Sequence, residues 1–202
     1  VARKPSAQTV SREDILKAAA LVFQQRGYHG TTMADIAERV GLTAGSLYHH
    51  FDGGKPNLLA AVLNEGLDVV LGKIEQIMQE PLTPSEMLRR MIEAHIVSVT
   101  ENVAAGAAMV FESRTILELP DAREPFIRRR DTFERCYREV IERGIACEEF
   151  RAIDVPVFTK AMLGAHNWVS VWYHPAGRLD GAQISREMAD VWLAALKRTD
   201  VR

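Results

Sequence analysis

Thr31-Thr32-Met33-Ala34-Asp35-Ile36-Ala37-Glu38-Arg39-Val40-Gly41-Leu42-Thr43-Ala44-Gly45-Ser46-Leu47-Tyr48-His49-His50-Phe51 reads as two short helices joined by a glycine turn. Met33, Ile36, Ala37 and Val40 recur at i, i+3, i+4 and i+7, the apolar stripe of a helix, and Thr32 with Asp35 has capping-box spacing. Gly41 breaks the first helix because glycine takes φ > 0 without steric cost, and Thr43 caps the second. At about 100° per residue, Ala44, Leu47, His50 and Phe51 fall on a packed side, Gly45, Ser46 and His49 on a free side, and Tyr48 between them. This is the pattern of a helix-turn-helix, whose second helix lies in the DNA major groove, with small residues letting the backbone approach the bases. An ordinary αα-hairpin has the same geometry, so both readings stay open on this stretch alone.

Working outward, Ser11 and Asp14 open a preceding helix with the stripe Ile15, Ala18, Ala19, Val22 and Phe23, and Gly27 ends it, giving a three-helix head. Arg3 and Lys4 before it are either a basic arm for a minor groove or an unordered tail.

From Ala18 to Leu59 the chain resembles the DNA-binding head of the TetR family of bacterial one-component repressors. The matching residues are Ala18 to Phe23, Gly27-Tyr28, Thr31-Thr32, Ile36-Ala37, Val40-Gly41, Gly45 to Phe51, Lys55 and Leu58-Leu59. The resemblance implies a DNA-facing set of Thr32, Thr43, Ala44, Gly45, Ser46, Tyr48, His49 and Lys55. Within it Thr43, Tyr48 and Lys55 meet phosphates, while Gly45, Ser46 and His49 lie near bases. One departure stands out: the family's lysine follows the aromatic by three positions, whereas Asp52-Gly53-Gly54 places Lys55 four after Phe51.

The chain has 202 residues, 47% hydrophobic and 26% charged, ordinary for a globular protein and ample for a core. Its net charge of −2 divides into +2 over residues 1–60 and −4 over the rest, so a mildly basic head sits on an acidic body. No run of apolar residues is long enough for a membrane span, and Val1 to Ser6 lacks the pattern of a signal peptide, so a cytoplasmic location without membrane contact is expected. Cys136 and Cys147 suggest neither a zinc motif nor a disulfide framework.

Helical periodicity continues to the end, with no strand-like alternation. A long helix from Pro56 to about Gln79 leaves the head, and Pro81 and Pro84 stop it. Ser85 to Val103 and a shorter segment ending near Leu119 follow. Another helix opens at Glu124-Pro125, with proline in its first turn, and runs toward Cys147. Val155 to Tyr173 is apolar on most of its circumference, and a last helix carries Ile184, Met188, Val191, Trp192 and Ala195. The two together have more apolar surface than one small body hides, which predicts a twofold interface through Val157, Gly164, Val171, Met188, Trp192 and Ala195. The resemblance agrees, because TetR-like repressors dimerise through their last two long helices. Asn167 to Pro175, with Gly177 and Leu179, is similar to the family branch controlling steroid and fatty-acid catabolism. Glu148 stands where related proteins carry a helix-ending glycine, which predicts strain if its backbone is left-handed.

The expected architecture is therefore all-α with about nine helices: a DNA-binding head of residues 1–54 and an effector-binding and dimerisation body of residues 55–202. No nucleophile elbow, metal cluster or phosphate loop is present in the sequence, so neither an enzyme nor a cofactor or metal is expected. Met91, His95, Phe111, Phe126, Phe133, Tyr137, Met162 and Trp168 are candidate walls of an effector pocket, with Arg130 as an anion contact. The reading is a ligand-responsive regulator, a dimer on a palindromic double-stranded operator, released by a hydrophobic effector such as an acyl or steroid-type CoA thioester. Two alternatives are an efflux-pump repressor sensing cationic or neutral drug-like compounds, for which Glu93 or Glu112 would matter, and a ligand-free architectural DNA-binding protein.

Overall fold

The computed structural model describes residues 10–198; Arg3 and Lys4 of the candidate basic arm lie outside them. Within that span there are nine helices and no strand: α1 (Arg12–Arg26), α2 (Met33–Arg39), α3 (Ala44–His50), α4 (Gly54–Met78), α5 (Pro84–Glu101), α6 (Val103–Leu117), α7 (Pro120–Ala146), α8 (Val155–Trp172) and α9 (Gly181–Leu196). The caps fall where the sequence places them. Ser11 with Asp14 and Thr32 with Asp35 form capping boxes, Thr43 accepts the Ser46 N–H, and Gly41 turns the chain at φ +68°.

Two boundaries differ from expectation. α4 begins at Gly54, ahead of Pro56, which therefore falls in the first turn, where the helix needs no N–H from it. α7 begins at Pro120, so Pro125 lies inside it rather than opening it; near the start of a helix a missing N–H forfeits only one bond. Glu148 is the one non-glycine residue at positive φ (+62°) among those described, as expected from its position. The turn it makes lets the Phe150 N–H reach the Gly144 carbonyl at 2.9 Å, and Phe150 packs where a side chain on Gly144 would collide with its ring.

α4, at 25 residues about 37 Å long, joins two apolar clusters. Its first half contributes Leu58, Leu59, Val62 and Leu63 to a cluster with α1, α2 and α3, which also takes in Ala108 and Ile116 of α6 and Phe126 of α7. Its second half joins α5, α7, α8 and α9 around Met91, Phe133, Tyr137 and Met162. α6 and α7 thus touch both clusters, which places them to carry motion between body and head. No single helix among the described residues is long and apolar enough to cross a membrane.

Candidate nucleic-acid interface and effector core

α3 is anchored by Leu47, fully buried, and by Phe51 at its C-terminus. Gly45 and His49 are exposed and Tyr48 is half exposed, so the free face is the one the periodicity placed outside. Thr32 and Thr43 are also exposed, each engaged as a helix cap, and Ala44 and Ser46 are partly buried. The Ser46 hydroxyl lies 2.9 Å from that of Thr43. His50 differs from expectation: it is exposed and lines a 290 Å³ groove with Arg12, Asp52 and Asn64 at the junction of head and body.

Lys55 requires a correction. Its Nζ points inward, donating to the Tyr28 carbonyl at 2.8 Å and the Thr31 carbonyl at 2.7 Å, and sits 4.3 Å from the centre of the Tyr28 ring. The extra residue before Lys55 sets it in the first turn of α4, facing the Tyr28 and Thr31 carbonyls of the α1–α2 loop. It braces the head instead of reaching a phosphate.

The same loop is held from its other side by a residue that the sequence reading assigned to a rival effector. Glu112 of α6, buried, accepts the Tyr28 N–H at 2.9 Å and the Thr115 hydroxyl at 2.9 Å. The Tyr28 peptide is therefore gripped by α6 at its N–H and by α4 at its carbonyl. Only the fold reveals this, since 84 residues separate Tyr28 from Glu112. Glu93, the other acidic candidate, is half buried beside Arg89 at 3.8 Å.

Of the candidate pocket walls, Met91, His95, Phe133, Tyr137 and Met162 come together, all buried, in the body core. Three others do not join them. Phe126, in the second turn of α7, is wholly buried in the head cluster. Phe111 and Trp168 are exposed and stack edge to face, 6.3 Å apart, on the outside of α6 and α8. Arg130 is exposed beside Asp131, and the neighbouring arginines Arg129 and Arg138 are paired with Asp68 and Glu134.

The sequence reading missed the partnership at the centre of this core. His95 and His166, 71 residues apart, meet with their Nδ1 atoms 3.3 Å apart, ringed by Phe133, Tyr137 and Trp192. Burial lowers the His95 pKa to about 4, against the opposing pull of Asn167, and burial together with His95 pushes His166 well below 6.5. A histidine whose folded pKa is depressed contributes stability that is complete above the unfolded value near 6.5 and is lost as pH falls toward the folded one. For His95 alone the loss amounts to roughly 3 kcal/mol. The melting temperature should therefore drop steadily from pH 7 to pH 5, and a His95→Leu/His166→Leu variant should flatten that slope. An unchanged slope in the variant would place the titration elsewhere.

Among the predicted interface residues, Val157, Gly164 and Val171 are exposed on α8 in one row with Ala161, Trp168 and Trp172, and on α9 Val191 and Ala194 are exposed as well. Met188 and Trp192 are partly buried against the body core, with the Trp192 ring 5.4 Å from Phe158 and 6.2 Å from His166. Ala195 is partly buried. On a helix covered on two sides, periodicity alone does not say which stripe belongs to which neighbour.

An exposed recognition helix on a three-helix head, tied through buried contacts to a separate helical body, defines a helix-turn-helix transcriptional regulator. Residues 15–62 match the family model described as bacterial regulatory proteins, tetR family, and residues 81–196 match that of the tetracyclin repressor-like C-terminal domain. The chain belongs to the TetR family. It is 29% identical over 198 residues to the transcriptional repressor KstR2 of Mycolicibacterium smegmatis, covering 96% of this chain and 95% of that one. The solved ketosteroid transcriptional regulator KstR2 of Mycobacterium tuberculosis superposes with TM-score 0.84 at 25% identity, over 98% of this chain and 100% of that one. AibR, solved in complex with isovaleryl coenzyme A and operator DNA, superposes with TM-score 0.76 at 26% identity, over 92% and 97% of the two chains.

Proposed function

We propose that this protein is a cytoplasmic repressor that binds a palindromic operator as a homodimer and releases it on binding a CoA thioester with an apolar acyl or steroid-type group. Residues 1–54 form the DNA-binding head and residues 55–202 the effector and dimerisation body. The observation that carries the effector class is the likeness over nearly the whole chain to a ketosteroid regulator and to a regulator solved with an acyl-CoA and DNA. The convergence of Met91, Phe133 and Met162, adaptable apolar residues around a few polar groups, supports it. Glu112, one of the two acidic residues named for the drug-sensing alternative, is committed to the Tyr28 N–H.

On DNA, the exposed face of α3 gives two kinds of contact. Tyr48→Ala should weaken binding to all sequences about equally, whereas Ser46→Ala or His49→Ala should change which sequences are preferred. Competition binding against a randomised duplex pool reads both, and an unchanged affinity of Tyr48→Ala would remove its assignment. The effector class is tested by titrating isovaleryl and longer acyl-CoA thioesters, with cationic dyes as the rival set, against melting temperature and operator release. At 100 times its dissociation constant an effector adds about 2.7 kcal/mol of stability, a clear rise in melting temperature. Release by the dyes and not by thioesters would overturn the proposed class.

A further inference from the structure

α6 presents three sides, and the single chain covers two of them. The inner side joins the head: Ala108 and Ile116 lie in the head cluster, and Glu112 accepts the Tyr28 N–H. A second side rests on α8, so closely at Gly106 that a Cβ there would stand 2.8 Å from that of Ser170. The third side carries Phe111, which remains 58% exposed.

A hydrophobic residue standing singly on a surface needs no partner, but Phe111 is not single. Its ring lies 6.3 Å from that of Trp168, with the planes at 60°, and Trp168 belongs to the exposed row on α8. Among the described residues eight large apolar side chains are exposed; four of them, Val157, Trp168, Val171 and Trp172, are on α8, and Phe111 continues their row onto α6.

The size of the patch fits a second copy of the chain. A whole aromatic side chain offers about 150–250 Å², so Phe111, Trp168 and Trp172, each about half exposed, together offer roughly 300 Å². That is a large part of the roughly 800 Å² that each partner gives to a stable interface. Val157, Ala161, Gly164, Trp168, Val171 and Trp172 include no charged residue, as the centre of such an interface requires.

We propose that the homodimer contact extends from α8 onto Phe111, so that the second copy of this chain bears on α6 one residue from Glu112 and links association to the position of the α1–α2 loop. This rests on the homodimer of the proposed function and adds to it a route from partner to head. A partner seated on Phe111 restrains α6, Glu112 of α6 holds the Tyr28 N–H, and the loop from Tyr28 leads directly into α2 of the helix-turn-helix. The coupling is reciprocal: a displacement of the loop weakens association by the same factor by which loss of the partner loosens the loop.

The test reads association by sedimentation and the head loop by hydrogen exchange of the amides of residues 26–32, over a dilution series of wild type, Phe111→Ala and Phe111→Leu. Phe111 is exposed in the single chain and alanine is the strongest helix former, so the fold of the protomer should be kept. The expected result is a dimer dissociation constant raised at least about tenfold by Phe111→Ala, since a twofold contact loses the ring from both copies, and raised less by Phe111→Leu. In wild type the loop amides should exchange about tenfold more slowly in the dimer than after dilution to monomer. In Phe111→Ala, at concentrations where it is still dimeric, they should exchange at the monomer's rate. An unchanged dissociation constant in Phe111→Ala overturns the extension of the interface and leaves the homodimer standing. Weakened association with loop exchange that is the same in monomer and dimer overturns the link to the head. A wild type that is monomeric at every concentration overturns the homodimer reading as well.

Discussion

Gly164→Arg should turn the protein into a folded monomer whose operator affinity is lower by about two orders of magnitude or more, equivalent to roughly 3 kcal/mol. Gly164 lies mid-row on the exposed apolar face of α8, and a side chain there meets nothing within 4 Å in the isolated chain. Within a helix, arginine is also favoured over glycine by roughly 0.7 kcal/mol, so the monomer should melt no lower than wild type does after dilution to monomer. In a dimer built on that face the same guanidinium is buried without a partner, which costs several kcal/mol. Sedimentation analysis reads the association state, and a titration on the full palindrome reads the affinity. A Gly164→Arg protein that remains dimeric and binds normally would show that the heads are paired through another surface. Trp192→Arg is the instructive contrast. Trp192 packs on Phe158 and His166 inside its own chain, so that variant should lose the body core instead of yielding a folded monomer.

Glu112→Leu is expected to disconnect effector from operator. Glu112 accepts the Tyr28 N–H, and Lys55 holds the Tyr28 carbonyl, so the loop between α1 and α2 follows any movement of α6 relative to α4. Leucine leaves that N–H buried and unpaired at a cost of about 1–3 kcal/mol, while glutamine keeps an acceptor in the same place. The leucine variant should still gain stability from the effector, since the body core is untouched, yet the concentration needed to release the operator should rise by about tenfold or more, a coupling of about 1.4 kcal/mol or more. Glu112→Gln should restore most of the response. The combination matters: a variant that binds effector and releases DNA as wild type does would show that the signal reaches the head by another route.

Local signals account for much of what could be read in advance. The capping residues Ser11, Thr32 and Thr43, the φ +68° turn at Gly41 and the free face of α3 all follow from interactions within a few residues, which is why spacing and residue type were sufficient to place them. The left-handed Glu148 was flagged differently, by the likeness to related chains that carry a helix-ending glycine at that place. Pro125 misled, because proline marks a first turn only statistically and α7 had already been started by Pro120.

Which apolar stripe meets which neighbour was a different kind of question. Met188 and Trp192 read as interface and pack, partly buried, against the body core of their own chain, and Phe126 read as pocket wall and lies beneath the head, because a periodic stripe specifies burial and not the partner that provides it. The Lys55 contacts to Tyr28 and Thr31, the Glu112 acceptor at Tyr28 and the His95–His166 pair join residues 24 to 84 positions apart. The chain by itself determined the helices, their caps and the class of head they build. The tertiary structure alone decided how head and body are connected, since that depends on how whole helices pack, and short-range patterns contain no record of it.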